Sequence, residues 1–296
     1  MSRREGITIE KDTVTRKSRR IPAKGEVLVK VGDLVDPDTI IARGLVTNPE
    51  IHEVKVYIQL GIDPEQAMRY MLKKEGDEVK MNEVIAIHRS FFGRSTRVCR
   101  SPIDGTIEAF SKTSGRVFIR GKKIVVEVRA HIPGRVIDVI PEEGAVVESR
   151  VALIQGLFGV GSEKTGILAM AVNEPGEPVT TDAITEDHGG KILVGGSIIS
   201  LEALRKATRM GVNGIIVGGV DQKDLTNFLG HEIGIGVTGE ENTGITLIIT
   251  EGFGTHPMDD GTFNLLRSHE GRLACIDGTT QIRSRMLRPE IILPIR

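Results

Sequence analysis

One short phrase is written three times in this chain. Gly32-Asp33-x-Val35 is followed by Ile40-Ile41, Gly76-Asp77-x-Val79 by Val84-Ile85, and Gly144-Ala145-x-Val147 by Ala152-Leu153. The spacing from glycine to apolar pair is the same each time. A glycine between alternating segments lets the backbone take positive φ and reverse, so each phrase reads as a turn joining two strands. Units of this kind bury a core only by stacking on one another. A second phrase, Pro22-x-x-Gly25-x-Val27, returns as Pro102-x-x-Gly105-x-Ile107 at what read as strand entrances. The expectation for residues 21–160 is therefore a β domain built by repetition. Asp63-Pro64-Glu65-Gln66 interrupts it with helix-start signals, which predict a short helix to about Lys74.

Together the two phrases resemble the barrel-sandwich hybrid of biotinyl- and lipoyl-carrier domains, over roughly residues 21 to 155. Either one hybrid with extra strands or two interleaved hybrids fits the spacing. Carrier members present a lysine at a hairpin tip, flanked by small or Met residues. This sequence has no such motif; Lys80-Met81 comes closest, but it falls inside the second turn phrase. The resemblance thus implies a hybrid without its attachment lysine, and no cofactor is expected.

At the carrier position the chain instead reads His88-Arg89-Ser90-Phe91-Phe92-Gly93-Arg94-Ser95-Thr96-Arg97-Val98-Cys99-Arg100. Arg89, Arg94, Arg97 and Arg100 with no acid among them are candidates for phosphate contact and hence for nucleic acid. A solvated hairpin whose Phe pair seals a barrel end is the alternative. Aromatics make up only 3% of the chain and net charge is −1, which weighs against a nucleic-acid surface as the main business of this protein.

Beyond residue 160 the pattern changes to alternating strands and helices. Lys191–Val194 ends in Gly195-Gly196, Val212–Val217 ends in Gly218-Gly219, and Ile245–Thr250 runs into Glu251-Gly252. Ser200 and Asp221 are placed to cap helices, with Leu201, Leu204, Ala207 and Thr208 on one face of the first and Gly211 ending it. Strand, helix, strand in this order implies right-handed crossovers and a parallel sheet. Glycines before helix starts expose N–H groups, so Gly195, Gly196, Ser197, Gly218, Gly219, Asp221, Glu251 and Gly252 are the candidate site for a small anionic ligand. Tight turns explain the same glycines without a ligand. Thr238-Gly239-Glu240-Glu241 reads as an acidic loop near them. Histidines stand beside acids in Asp187-His188, His231-Glu232, His256 near Asp259 and Asp260, and His269-Glu270, but without metal-ligand spacing, so no metal is expected.

The fold expected is α+β in two domains: a basic tail over 1–20, a β-rich barrel-sandwich hybrid over 21–160, and a small α/β domain with a short parallel sheet over 161–296. At 296 residues the length suits roughly two domains of about 150 residues each. Cys99 and Cys275 read as reduced, and there is neither a signal-like apolar region at the N-terminus nor a run long enough to span a bilayer. The expectation is a cytoplasmic, non-enzymatic binding or scaffolding protein whose β domain docks a protein partner or self-associates. An enzyme acting on a phosphorylated small molecule at the glycine corners, with Glu251 or His188 as acid or base, is the alternative. Nucleic-acid binding through the arginine segment is the third reading.

Overall fold

The computed structural model describes residues 8–89, 95–230, 243–280 and 287–295. It is a β-rich α+β fold with mixed sheets. The chain divides into two compact units, both discontinuous in sequence. The first comprises Met1–Arg20, Val27–Ala42 and Val128–Arg296; the second comprises Ile21–Glu26 and Arg43–Glu127. No helix among the described residues is long and apolar enough to cross a membrane.

The first unit is built on one eleven-stranded sheet. Its strands are β1 (Thr8–Arg20), β2 (Leu34–Val35), β3 (Gly134–Ile140), β4 (Gly144–Gln155), β5 (Phe158–Val160), β6 (Lys164–Met170), β7 (Ile192–Val194), β8 (Gly214–Val220), β9 (Thr246–Phe253), β10 (Leu273–Asp277) and β11 (Glu290–Pro294). The order is β5-β9-β8-β7-β6-β10-β11-β4-β3-β2, with β1 paired to β4. Only β6 to β9 are parallel; the remaining pairs are antiparallel. The parallel strands expected beyond residue 160 are thus present, but they continue through β10 and β11 into the antiparallel strands before it.

Helices α1 (Leu201–Arg209), α2 (Gln222–Leu229) and α3 (Asp260–Ser268) follow β7, β8 and β9. β8 is buried at every residue, as a strand covered on both faces must be. Ser200 Oγ accepts from Ala203 N at 3.2 Å, and Asp221 Oδ1 accepts from Lys223 N at 2.8 Å, so both expected caps form. Gly211 ends the first helix region at φ 71°. Ala203, Leu204 and Ala207 are buried on the inner face of α1, while Thr208 Oγ1 turns back to Leu204 O at 2.9 Å.

The second unit holds a four-stranded sheet of Ile51–Lys55, Arg116–Gly121, Gly105–Ser111 and Glu78–Val79, in that order. Val84–Arg89 and Thr96–Arg100 pair separately. Its core is formed by Val54, Leu60, Ile85, Cys99, Ile107 and Ile119 with their neighbours. The helix expected after Asp63 is a 3₁₀ helix over Pro64–Tyr70, and Asp63 makes no side-chain cap. A short α-helix, Val56–Leu60, precedes it and ends at Gly61 with φ 65°; no local signal marks its start.

Two of the three repeated phrases fold identically. Gly32 and Gly76 take φ of 97° and 89°. Asp33 Oδ2 accepts from Lys30 N at 3.0 Å, and Asp77 Oδ2 from Lys74 N at 2.8 Å. Gly32 N donates to Val136 O and Gly76 N to Ile107 O, both at 2.8 Å; Val136 N and Ile107 N return bonds to Asp33 O and Asp77 O at 2.9 and 3.0 Å. Val35 then faces Gly134, and Val79 faces Gly105. The third phrase departs from this. Gly144 lies in β4, and Glu142 takes the positive φ, 62°. A Cβ on Gly144 would lie 1.8 Å from Arg19 O, so that glycine admits a neighbouring strand and does not make a turn. The absent aspartate, Ala145 in its place, is the local sign of the difference.

The glycines of the second phrase also have one job. A Cβ would meet Arg43 O at 2.1 Å from Gly25 and Arg120 O at 2.1 Å from Gly105. Gly134 repeats it against Glu148 O at 2.2 Å.

Candidate functional site

At the carboxyl ends of the parallel strands the expected glycine corners are covered by the chain itself. Gly195, Gly196 and Ser197 are buried just past β7. Ser197 N and Oγ donate to Glu177 O and Gly176 O, each at 2.9 Å. Gly195 N donates to Ile216 O at 2.7 Å and Gly218 N to Gly196 O at 2.8 Å. A Cβ would lie 2.3 Å from Glu177 O at Gly196, 2.1 Å from His256 O at Gly218 and 2.0 Å from Gly254 O at Gly219. These glycines therefore let segments 174–177 and 254–258 cross over the strand ends. Val179, Ile199 and Val220 bridge above them in a further parallel tier. In open sheets a crevice forms where strand order reverses; β6 to β9 run in one direction without reversal, which leaves no such gap.

Among the other expected residues, Asp221 is exposed and spends Oδ1 on the first turn of α2. Glu251 is half-buried and its Oε1 accepts from Asp259 N at 3.0 Å, steadying the start of α3. Gly252 lies opposite Gly219 in the β8–β9 ladder.

A cleft of about 420 Å³ opens one step further out. Thr180, Thr181 and Ser200 give it hydroxyls, Val179 and Ile199 an apolar floor, and Glu202 with Asp224 an acidic rim. Asp224 Oδ2 accepts from Leu201 N at 3.3 Å, tying the two helix starts together. A negative rim repels an anion, so this opening has chemistry opposite to that expected of the glycine corners. Its lining comes from three separate stretches of chain. The sequence signal available was the cap Ser200 alone. The second unit has a cleft of about 320 Å³ beside Glu53, Lys55, Ile58, Gln59 and Pro102.

Among the described arginines, Arg89 and Arg97 do not share a face. Arg97 faces His88 and Arg89 faces Thr96, one residue along the same ladder, so the two side chains point to opposite faces. Arg97 Nη1 lies where a Cβ on Gly61 would be, and Arg100 Nη1 donates to Asn82 O at 2.7 Å. Arg94 lies outside the described residues, as do Phe91, Phe92, His231, Glu232 and the loop 238–241. Three described histidines spend ring nitrogens on backbone: His188 Nδ1 accepts from Thr185 N, while His256 Nε2 and His269 Nδ1 pair with Phe253 O and Leu265 O. Among the described residues no group of three or more His, Cys, Asp or Glu is placed to hold a metal ion.

One buried polar group was not anticipated. His131 is 5% exposed, takes φ of 66°, and its Nε2 has no hydrogen-bond partner. Around it Arg19 grips Glu163 through two bonds of 2.5 and 2.6 Å, and Lys17 pairs with Glu290. Burial drives the His131 pKa below its ordinary value, with Arg19 and Lys17 acting the same way and Glu163 and Asp277 opposing. Burial alone would raise Glu163; its bonds from Arg19, with His131 and Lys17 nearby, hold it below the usual carboxylate range instead. Compared with protein-family models, curated proteins and solved structures, the chain matches none.

Proposed function

We propose that this chain is a non-enzymatic binding or scaffolding protein, assembled from two hybrid-like β modules of the barrel-sandwich type that lack an attachment lysine. The two identically bonded Gly-Asp-x-Val turns, one in each unit, support the module reading. What the two turns expose supports the docking reading. In the first unit Leu28, Val31 and Leu34 are 39%, 61% and 76% exposed. At the same steps from the turn glycine the second unit carries Leu72, Glu75 and Glu78. The turn therefore folds equally well with carboxylates at two of those positions. Val31 and Leu34 serve no local fold requirement, and large apolar side chains left in solvent suit a contact surface.

The test is a V31E/L34E variant that copies the second unit's residues. It should keep the wild-type melting temperature and lose a complex that the wild-type protein forms, scored by light scattering on a sizing column and by affinity capture. Wild-type protein with no partner and no self-assembly, or a variant that keeps its complex, counts against the reading.

A further inference from the structure

We propose that His131 and Glu163 form a proton-operated latch on β1: protonated His131 takes Glu163 away from Arg19 and loosens the basic half of the strand.

The position of this histidine is not dictated by the turn beside it. Ala130 N donates to Thr39 O and Ser101 N to Glu83 O, both at 2.9 Å, and Thr39 and Glu83 stand equally far beyond Gly32 and Gly76. The residue after Ser101 is Pro102, whose ring holds φ near −65°; its counterpart is His131 at φ 66°. A left-handed histidine stores strain that a proline in the same place would avoid. That strain seats an imidazole in a buried place, among four charged groups, with Nε2 unpaired.

Those four groups define the two states. Lys17 is engaged with Glu290, and Asp277 Oδ1 accepts from Thr279 N at 3.0 Å. Arg19 holds Glu163 and also donates through Nε to Arg129 O at 2.7 Å. With His131 neutral, Arg19 is the cation bound to Glu163, and this bond tethers β1 where Lys17 and Arg19 point inward. A proton taken from solvent by Nε2 turns the orphan nitrogen into a charged donor; Glu163 and Asp277 both lie within its field, and Glu163 is the one bonded to β1 through Arg19. Arg19 then keeps only its bond to Arg129 O. Burial and the two cations oppose this protonation while Glu163 and Asp277 favour it, so it occurs on the acidic side of neutrality.

The experiment measures amide hydrogen exchange of the full chain at pH 7.5 and 5.5, expressed as protection factors. Protection over Thr13–Arg20 should fall at least about tenfold at pH 5.5 while β8 is unchanged. His131→Asn tolerates the left-handed backbone and does not titrate, so it should remove the pH dependence. Glu163→Gln should remove it as well, because no carboxylate is left to exchange partners. An equal fall in His131→Asn, or no fall in the wild type, overturns the latch. Where the variants do not fold, the imidazole resonances of the wild type decide: a His131 midpoint that coincides with the loss of β1 protection supports it, and a midpoint elsewhere overturns it.

Discussion

Alanine at Gly134 should cost more than alanine at Gly32, although both glycines belong to the same turn assembly. An ideal Cβ at Gly134 lies 2.2 Å from Glu148 O. Even weak C–H···O contacts keep carbon and oxygen about 3.3 Å apart, so β3 and β4 must separate by about 1 Å. Overpacking of this kind costs about 1–3 kcal/mol, and the upper end applies because the obstacle is backbone. At Gly32 no atom lies within 4 Å of the added Cβ. Its penalty is conformational, about 1–2 kcal/mol for a left-handed residue. Both substitutions gain the same small offset from a stiffer unfolded chain. Asparagine separates the two causes, since it tolerates positive φ but is larger than alanine. Gly32→Asn should recover most of the loss of Gly32→Ala, whereas Gly134→Asn should be at least as damaging as Gly134→Ala. Urea unfolding at 25 °C reads the difference: with a slope of about 2 kcal/mol/M, a gap of about 1–2 kcal/mol displaces the midpoint by about 0.5–1 M. Gly76 and Gly105 should repeat the pattern in the second unit, where Gly76 is likewise open and Gly105 is blocked by Arg120 O at 2.1 Å. Equal losses at the open and blocked sites, or no advantage of Asn over Ala at Gly32, would refute the assignment of roles.

Asp33→Ala and Asp77→Ala each remove one side-chain bond to a turn N–H, and each should lower stability by about 1 kcal/mol, measured by urea midpoint; a large loss at one only would show that the two turns are not equivalent. Burial pushes the Cys275 thiol to about 12 and Cys99 to about 11, so both should resist iodoacetamide at pH 8 in native protein and react promptly in urea, as followed by intact mass. Glu163 is held below its ordinary value of 4.5, so its contribution is present above that pH and is lost as pH falls through the lowered folded value. A stability profile from pH 7 to 3 should therefore flatten in this acid range in Glu163→Gln. His131, lowered from 6.5, contributes above that pH and loses it as pH falls, and His131→Asn should remove that step in thermal melts.

What could be read from the chain follows the range of the interactions. Asp33 and Asp77 bond to N–H groups three residues back, and Ser200 and Asp221 to N–H groups two or three residues ahead; such bonds depend on local residue types, so both turns and both caps were legible. The same holds for β8, whose unbroken apolar run announces burial on both faces. The third phrase misled because a glycine has two uses, positive φ and close approach, and only the position of Arg19 O decides between them at Gly144. A change of pattern marks the chain near residue 160, while strand pairing is set by partners far apart in sequence, and contacts join Val128–Arg296 into one unit. Whether the glycine pairs at 195–196 and 218–219 stand open depends on segments 174–177 and 254–258, which no local rule places over them. The burial of His131 belongs to this second class. Local hydrogen-bond chemistry is written in neighbouring residues, whereas which surfaces become interior is settled by packing among residues well separated along the chain.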